Sequence, residues 1–398
     1  MEKIIFHVDV NNAFLSWEAV DRLKKGKQED IRLIASVIGG DPLLRHGIVL
    51  AKSNVSKKYN IKTAETLYSA KRKCPKLKVY SPNYDLYSCE SKKLYNLLLN
   101  YSPDVYQYSI DECFFDYTGM ESLFGNPLDF ASKLKNEIKD KFGWTVNIGI
   151  GNNIVCAKMA SDFLKPDKVH TLYRNEIKDK LWPLDISNLF MVGKKTVIKL
   201  REMGIYKISD LACYNKNKLI KMFNKHAITM YNHAWGISSD SIDELKKESE
   251  NRSISMTTTL IEDTNNINDI KKILLNLAND IAFKIRVDKV YAYSIGIILK
   301  DYKFVTTSRQ TKLKNGVNTA EEIYKEACRL LDIYYQSEYI RLVGIKVFDF
   351  HDDRNIQLSL FEEASSIENN EKINKTMDKI KEKYGKDSIQ YAYIKDNK

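Results

Sequence analysis

Cysteine, glycine, proline and long apolar runs are all scarce in this chain. Only 6 of its 398 residues are cysteine, and no two form a Cys-x-x-Cys pair, so neither a zinc site nor a disulfide framework is indicated. With 16 glycines and 7 prolines, the composition excludes fibrous and disordered classes. No stretch approaches the roughly 18 apolar residues of a membrane span. We therefore expect a folded cytoplasmic protein with reduced thiols and no membrane partner.

Arginine is also scarce, although the chain is basic. Lys and Arg total 63 against 52 Asp and Glu, which gives a net charge of +11, and only 12 of the 63 are arginine. An excess of positive charge favours a polyanionic partner, and flexible lysines suit phosphates better than base edges. A lysine-rich proteome explains the same balance equally well, so the charge alone does not identify a partner.

The length and the order of the apolar segments predict several domains. At 398 residues the chain is too long for one core. Its first part predicts a β-α-β-β-α-β order, interrupted after the first strand by a basic insertion with a helix and a strand at 47–51. The strands and helices of that order are predicted at 4–8, 84–101, 105–108, 113–117, 127–142 and 145–150.

Three further regions are predicted after this first part. Residues 181–211 predict a short helix, a hairpin at Val192-Gly193 and a second helix that stops at Gly204. The polar stretch 238–251 is interpreted as a linker. A second β-α-β-β-α-β order follows it, with elements predicted at 253–260, 267–287, 291–299, 304–312, 320–333 and 340–348.

Three carboxylates are the strongest candidates for chemistry. Asp9 ends the first predicted strand, and Asp111 and Glu112 lie in the turn between two later strands of the same sheet. Adjacent strands can bring such groups together, and crowded carboxylates need cations. Oxygen ligands without nearby His or Cys favour Mg²⁺ or Mn²⁺, and two such ions can clamp a phosphoryl transfer. A solvated acidic turn is the alternative, because an Asp-Glu pair alone is weak support for a metal site.

Three motifs, in order and spacing, resemble those of the Y-family lesion-bypass DNA polymerases, close to the bacterial DNA polymerase IV and V group. They are VDVNNAF at 8–14, SIDECFFDY at 109–117 and GIGNNIVCAKMASDFLKPD at 149–167. The resemblance extends over about residues 1–361. It implies an α+β right-hand polymerase with a ferredoxin-like palm, a small fingers insertion, a helical thumb and a separate α+β little-finger domain.

The resemblance also implies the domain boundaries. They are a catalytic palm at 1–12 and 82–172, fingers at 13–81, a thumb with a helix-hairpin-helix at 173–240, a linker at 241–251, a DNA-binding little finger at 252–350 and a tail at 351–398.

In such a polymerase the three carboxylates would bind two Mg²⁺ ions. The resemblance makes Asp9, Asp111 and Glu112 the ligands, with the Val10 carbonyl completing one ion, and Mn²⁺ can substitute. Asp111 and Glu112 are then the implied catalytic pair. The ions would activate the primer 3′-hydroxyl and stabilise the charge on the triphosphate as pyrophosphate leaves.

Five residues are implied to contact the incoming nucleotide. Phe14 would lie under the sugar and collide with a ribose 2′-hydroxyl, although without the resemblance it would be interpreted as a core aromatic. Lys165, and less directly Lys158, would place positive charge on the triphosphate. Where the family usually has Tyr-x-x-Arg in the fingers, this chain has Asn54 and Lys57, and Lys lacks the guanidinium fork.

Two regions are implied to hold duplex DNA. The hairpin residues Val192, Gly193, Lys194 and Lys195 resemble a helix-hairpin-helix that presents backbone N–H groups to a phosphate, with a plain helical hairpin as the alternative. In the little finger the implied contacts come from basic residues on two strands, with a solvated basic sheet edge as the alternative. They are Lys300, Arg309 and Lys312.

One apolar segment in the polar tail implies a protein partner. Gln357, Leu358, Leu360 and Phe361 look like the bacterial motif that binds the β subunit of the sliding clamp as an extended peptide. A last strand packed on its own domain is the alternative.

Together these features predict a low-fidelity, template-directed DNA polymerase that performs translesion synthesis. Its expected partners are primer-template DNA, deoxynucleoside triphosphates and the sliding clamp, and we expect a nucleoid-associated monomer. A catalytically silent polymerase-like protein that binds DNA and the clamp is the first alternative, and the retained carboxylates argue against it. A two-metal phosphohydrolase or cyclase on a similar palm is the second, and it leaves most of the chain unexplained.

Overall fold

The computed structural model describes residues 2–41, 45, 47–239, 241–248, 253–352, 376–380, 383–385 and 388–389. The chain divides into two compact units. The first comprises Met1–Pro42 and His46–Lys247, and the second comprises the described residues from Glu248 onward together with the segment at 43–45. Within the described ranges, no helix is both long and apolar enough to cross a membrane.

Strands and helices alternate through the first unit. The earlier ones are β1 (Ile5–Val10), α1 (Ala13–Lys24), β2 (Ser36–Gly39), β3 (Val49–Lys52), α2 (Asn54–Lys57), α3 (Leu67–Lys73), β4 (Lys78–Tyr80), α4 (Tyr84–Leu98), β5 (Val105–Gln107) and β6 (Glu112–Asp116). The later ones are α5 (Glu121–Phe124), α6 (Pro127–Phe142), β7 (Val146–Gly151), α7 (Ile154–Ser161), β8 (Val169–Leu172), α8 (Lys194–Glu202), α9 (Ile208–Ala212), α10 (Lys216–Phe223), α11 (Lys225–Ala234) and α12 (Ile242–Glu248).

The predicted palm forms a five-stranded sheet in the order β5-β6-β1-β7-β8. The four strands of the predicted β-α-β-β-α-β order are β1, β5, β6 and β7, numbered 1 to 4 along the chain. Read from β7 to β5, they lie in the sheet as 4-1-3-2, which is the ferredoxin-like order, and β8 is added parallel to β7. The central strand β1 is buried throughout and alternates between the two faces of the sheet. Phe6, Val8 and Val10 pack into the core beneath α4 and α6, whereas Ile5 packs with Ile154 of α7. His7 and Asp9 therefore share the α7 face.

Helix α6 shows how local sequence specifies the palm. The Asn126 side chain accepts a hydrogen bond from the Leu128 N–H at 2.9 Å, and Pro127 occupies the first helical turn. Gly143 ends the helix with a φ of 82°, in the left-handed region that glycine adopts without cost. The predicted range 127–142 is confirmed because a start signal, an apolar face and a stop signal all agree.

The basic insertion forms a three-stranded sheet in the order β3-β2-β4, with a small core that includes Val37, Val49 and Leu67. The sequence predicted only one of these strands, at 47–51, and missed β2 and β4. Those strands have four and three residues, too few to show an alternating pattern, and their pairing stabilises them more than their own composition does.

The region around the predicted hairpin is helical and has its own core. The short helix before the hairpin is a single 3₁₀ turn at Ile186–Asn188. Met191 has a φ of 69°, which is the conformation that the hairpin demands and glycine usually supplies. The second helix, α8, ends just before Gly204, whose φ is 81°, so the predicted stop is confirmed.

The predicted linker at 241–251 contains a helix in its first part that the sequence pattern did not predict. Residues 242–248 form α12, and Ile242 is buried against Ile5, Phe114 and Ile154 of the palm. Only Ile242 and Leu245 are apolar in this stretch, and one helical pair is too short to show a periodicity. Packing on the sheet therefore stabilises a helix that the sequence pattern did not reveal.

The second unit contains the predicted second β-α-β-β-α-β order. Its elements are β9 (Ile254–Thr264), α13 (Ile267–Val287), β10 (Tyr291–Asp301), β11 (Thr306–Val317), α14 (Ala320–Tyr334) and β12 (Ile340–His351). The four strands form an antiparallel sheet in the order β11-β10-β12-β9. Residues such as Ile297 and Ile345 join the core with α13 and α14 on one face. The element order is confirmed, but the strand order differs from that of the palm.

Candidate active site

Strand pairing brings the predicted carboxylates to one place. β1 and β6 are antiparallel neighbours in which Asp9 lies directly opposite Glu112, and the Val10 N–H donates to the Asp111 carbonyl at 3.0 Å. Asp9 is only 8% exposed. The central position of β1 therefore holds one carboxylate inside the protein, with Glu112 beside it at the start of β6 and Asp111 in the turn before that strand.

Burial and neighbouring charges shift the pKa values of these groups in opposite directions. Burial raises the pKa of Asp9 to about 7, against the attraction of Lys165. Burial also raises the pKa of Asp111. For Glu112, burial is outweighed by Lys158 and by hydrogen bonds, so that its pKa lies below the usual value. The charged forms of Asp9 and Asp111 are therefore disfavoured by burial, and a bound cation would stabilise them.

Two lysines already balance part of this charge. The Lys165 Nζ lies 2.9 Å from Asp9 Oδ1 and 2.8 Å from Asp162 Oδ1. Lys158, whose side chain is 11% exposed, pairs with Glu112 and lies 3.8 Å from Asp9 Oδ2. Ser109 donates to Asp111 Oδ1 at 2.8 Å and to Glu112 Oε2 at 3.3 Å. The carboxylates are therefore oriented by Ser109, in the turn before β6, and by the two lysines, which lie on and after α7.

Glycines in the GIG motif allow α7 to bring Lys158 this close. A Cβ on Gly149 would lie 2.0 Å from the Ala157 carbonyl oxygen, and one on Gly151 would lie 2.5 Å from the Cys156 Cβ. No larger residue fits between β7 and α7. The two glycines of the motif are therefore required sterically, because α7 packs directly against the backbone of β7.

A single pocket in the first unit joins the carboxylates to the insertion. Its lining from the palm side includes Asp9, Val10, Asn11, Asn12, Ala13, Phe14, Asp111, Lys165 and Pro166. The insertion contributes the opposite wall with Leu50, Ala51, Lys52, Lys57 and Thr63. Segments far apart in the sequence therefore enclose one cleft, with carboxylates and Lys165 on one side and two further lysines on the other.

Phe14 is half-buried and held in a fixed orientation. Its ring stacks on that of Tyr87, with centroids 4.5 Å apart and an interplanar angle of 7°, and Tyr87 is fully buried. The Phe14 side chain also lines the pocket. A ring that is fixed in this way can serve as a steric stop, which a mobile side chain could not.

The remaining nucleotide candidates lie at different distances from the pocket. Lys57 lines it, and partial burial, followed by repulsion from Lys52 and Lys165, lowers the Lys57 pKa. Asn54 is not among the lining residues, and its side chain accepts a hydrogen bond from Asn12 Nδ2 at 3.3 Å. Sequence reasoning missed Asn12, Lys52 and Thr63 as pocket residues. Only the place of Asn12 between Asp9 and Phe14 in the first motif could have indicated one of them.

The predicted DNA contacts of the hairpin are partly revised. Val192 is buried, and its N–H donates to the Leu189 carbonyl at 3.0 Å, so this N–H is not free for a phosphate. Gly193, Lys194 and Lys195 lie exposed at the start of α8. The candidate phosphate site is therefore this first helical turn.

In the second unit the predicted basic residues do not all share a face. Lys300 is opposite Thr306, and Lys312 is opposite Ser294, so both point away from the helices. Arg309 is opposite the core residue Ile297 and lies on the other face. Lys346, which the sequence analysis missed, is opposite Gly296 on the same open face as Lys300. The clamp-motif residues Gln357, Leu358, Leu360 and Phe361 lie outside the described residues.

The donor set at the carboxylates suits a hard divalent cation. Asp9, Asp111 and Glu112 offer only oxygen, the ligand that Mg²⁺ and Mn²⁺ prefer, and buried Asp9 has a pKa raised to about 7 by desolvation. In the part of the chain that is described, no three His, Cys, Asp or Glu side chains already converge on one point. The donor atoms therefore suit such a cation in kind, although the three described side chains are not gathered around one point.

Comparisons with known proteins agree on one family. Models of the impB/mucB/samB family and of its C-terminal domain match residues 8–162 and 251–360. DNA polymerase IV of Clostridium acetobutylicum is 43% identical over 99% of this chain and 98% of its own length. DNA polymerase IV of Alkaliphilus oremlandii is 36% identical over 99% of each chain.

Solved structures give the same result for the fold. A chimeric Y-family DNA polymerase has a TM-score of 0.76 at 23% identity, covering 88% of this chain and all of that one. An insertion ternary complex of Dbh DNA polymerase has a TM-score of 0.61 at 24% identity with the same coverage.

Fold and site together define a right-hand polymerase architecture with palm, fingers, thumb and little finger. The chain belongs to the impB/mucB/samB family, in which its similar relatives are DNA polymerases IV.

Proposed function

We propose that this chain, by its family a translesion DNA polymerase, transfers nucleotides at the cluster of Asp9, Asp111 and Glu112. The observation that carries the proposal is that Asp9, which is paired with Glu112 across two strands, lines a pocket together with Asp111, and that the opposite wall of this pocket is basic. Negative groups below and positive groups above suit a substrate in which a triphosphate bridges a metal site and a lysine-lined wall.

We assign the metal ligands as the carboxylates of Asp9, Asp111 and Glu112 with the Val10 carbonyl, which would hold two Mg²⁺ or Mn²⁺ ions. When bound, the ions supply Lewis-acid chemistry that favours the ionised primer 3′-oxygen and offsets the charge of the leaving pyrophosphate. Ser109 orients two of the carboxylates through its hydroxyl. In the reaction the primer oxygen bonds to the α-phosphorus as the bond to the β-phosphate oxygen breaks.

The chain's other pocket residues position the nucleotide. Lys165 and Lys57 approach from opposite walls and would contact the triphosphate as point charges. Phe14, fixed by its stack on Tyr87, would lie under the sugar and exclude a 2′-hydroxyl. Lys158 would act through Glu112, because its ammonium group pairs with that carboxylate. Asn54 would act through Asn12, to which it is hydrogen-bonded.

The duplex would be held mainly through its phosphates. Gly193 to Lys195 at the start of α8 would bind one backbone phosphate, and Lys300, Lys312 and Lys346 on the open face of the second unit would follow others. Arg309 would contribute from the sheet edge. We further propose that Gln357 to Phe361 binds the sliding clamp and that the enzyme works as a monomer on chromosomal DNA in the cytoplasm.

Primer extension tests the proposed function. Purified protein with Mg²⁺ and the four deoxynucleotides should extend primers on undamaged and abasic templates, and Glu112→Ala should abolish extension on both. Asp140→Asn, which removes an exposed carboxylate of α6, is the matched control and should retain full activity. Binding of primer-template without extension in Mg²⁺ or Mn²⁺ would instead support the catalytically silent alternative.

A further inference from the structure

We propose that Lys52 is an additional nucleotide-binding residue that contacts the triphosphate of the incoming nucleotide beside Lys57. The inference rests on the proposed function of the same pocket and extends it to a side chain that no motif identifies. Lys52 is the last residue of β3 and lines the pocket on the wall opposite the carboxylates.

The backbone that carries Lys52 and Lys57 is fixed by buried serines. The Ser53 hydroxyl caps α2 by accepting from the Ser56 N–H at 3.0 Å and donates to the Ile34 carbonyl at 2.7 Å. The Ser56 hydroxyl donates to the Ser36 carbonyl at 2.8 Å. Since Ser53 and Ser56 are fully buried, the turn between β3 and α2 holds both lysines at set positions on the pocket wall.

These lysines lack the counter-charges that surface lysines usually find. Neither Lys52 nor Lys57 makes an ion pair within 4.0 Å among the described residues. Glu65, the carboxylate that attracts Lys52, is already paired with Lys73 at 2.5 Å. On the wall formed by the insertion, Lys52 and Lys57 are the cationic side chains that line the pocket. An anion bound at this wall would neutralise the positive charges of the two lysines.

The pKa shifts of the two lysines also support the proposal that an anion binds beside them. Burial lowers the Lys52 pKa, and Lys62 and Lys73 add to that effect against Glu65. The Lys57 pKa is lowered by burial and then by Lys52 and Lys165. Lys52 and Lys57 therefore repel each other on one wall of the pocket, whereas Lys165 on the opposite wall is paired with Asp9 and Asp162, and a polyanion would relieve the repulsion between the first two. A triphosphate extends over several ångströms and carries several negative charges, so it suits a row of three ammonium groups.

Nucleotide-dependent kinetics of Lys52→Gln test the proposal. The substitution keeps a polar side chain that is one atom shorter and removes its charge. With each of the four deoxynucleotides in turn, we expect KM to rise by about tenfold while kcat stays within about twofold, as loss of one charge-assisted contact predicts. Inhibition by inorganic tripolyphosphate should weaken by a similar factor. Lys52→Arg should restore most of the affinity.

Lys58→Gln is the matched control, because Lys58 is an exposed neighbour that does not line the pocket. Its KM values should equal those of the wild type. The thermal midpoint of Lys52→Gln should also be unchanged, which separates lost contact from lost folding.

Two results would overturn the proposal. An unchanged KM would make Lys52 a solvated side chain, and a KM raised for one base alone would assign it to a base edge. Either result would leave the proposed function intact if the wild type extends primers and Lys165→Ala raises KM for all four nucleotides. If the wild type fails to extend primers at all, the proposed function itself fails, and binding of tripolyphosphate still reports on Lys52.

Discussion

The palm and the second unit share the element order β-α-β-β-α-β but place their charges in opposite environments. The palm sheet has helices on both faces, with α4 and α6 on one side and α7 on the other. The second unit has α13 and α14 on one face of its sheet, and among its described residues no helix packs on the other face, which is called the open face here. Element order alone therefore does not decide what a sheet can do.

Strand order explains the difference. In the palm, β1 lies between β6 and β7, so its Asp9 is central and buried beneath α7. In the second unit β11 is an edge strand, so Lys312 and its neighbours are exposed to solvent. Catalysis on phosphates benefits from carboxylates in a water-poor site, whereas following a DNA backbone requires cations that a long polyanion can reach. The carboxylate of the palm is accordingly buried, and the lysines of the second unit are accordingly exposed.

The largest expected effect separates chemistry from DNA binding. Asp9→Asn removes a buried ligand charge of the palm, and we expect the single-turnover rate to fall by about 10³-fold or more, roughly 4 kcal/mol. The affinity for primer-template should stay within about twofold. Rapid-quench kinetics and fluorescence anisotropy measure the two quantities. A large loss of DNA affinity would show that the palm carboxylates and the DNA contacts are not separate.

A pair of glycine substitutions compares the two sheets directly. Gly149→Ala places a Cβ 2.0 Å from the Ala157 backbone oxygen of α7, whereas Gly296→Ala places one 2.9 Å from the Arg309 oxygen of an edge strand that can shift. We expect Gly149→Ala to lower the free energy of unfolding by about 3 kcal/mol and Gly296→Ala by about 1 kcal/mol. Denaturant unfolding measures both. Equal losses would contradict the view that α7 packs more rigidly than β11.

The smallest effect concerns the open face. Lys300→Gln combined with Lys312→Gln should raise the Kd for primer-template about tenfold at low salt and reduce the salt slope by roughly two phosphates. The turnover of bound DNA should not change.

Lys325→Gln combined with Arg329→Gln is the control for that pair. It removes the same charge from exposed positions of α14 on the opposite face. An equal loss of affinity in the control would show that net charge, and not the open face, determines DNA binding.

Much of the site was predictable because its motifs are local. Asp111 and Glu112 are adjacent, and Asp9 and Phe14 lie in one seven-residue motif, so the resemblance could assign them together. Lys52 was not predictable, because its place in the pocket depends on the pairing of β3 with β2 and on how the insertion faces the palm. The burial of Val192 and the departure of Arg309 from the open face were likewise consequences of packing and register.

The family, the order of the elements and the long helices with clear ends, such as α6 and α13, follow from the amino-acid sequence alone. Those features depend on interactions between residues a few positions apart, and such interactions can be recognised from the spacing of residue types along the sequence. Tertiary contacts were needed to establish the short strands β2 and β4, helix α12, the two strand orders and the pocket wall that carries Lys52. These arise from contacts between distant segments, where the stabilising partner is supplied by another part of the fold.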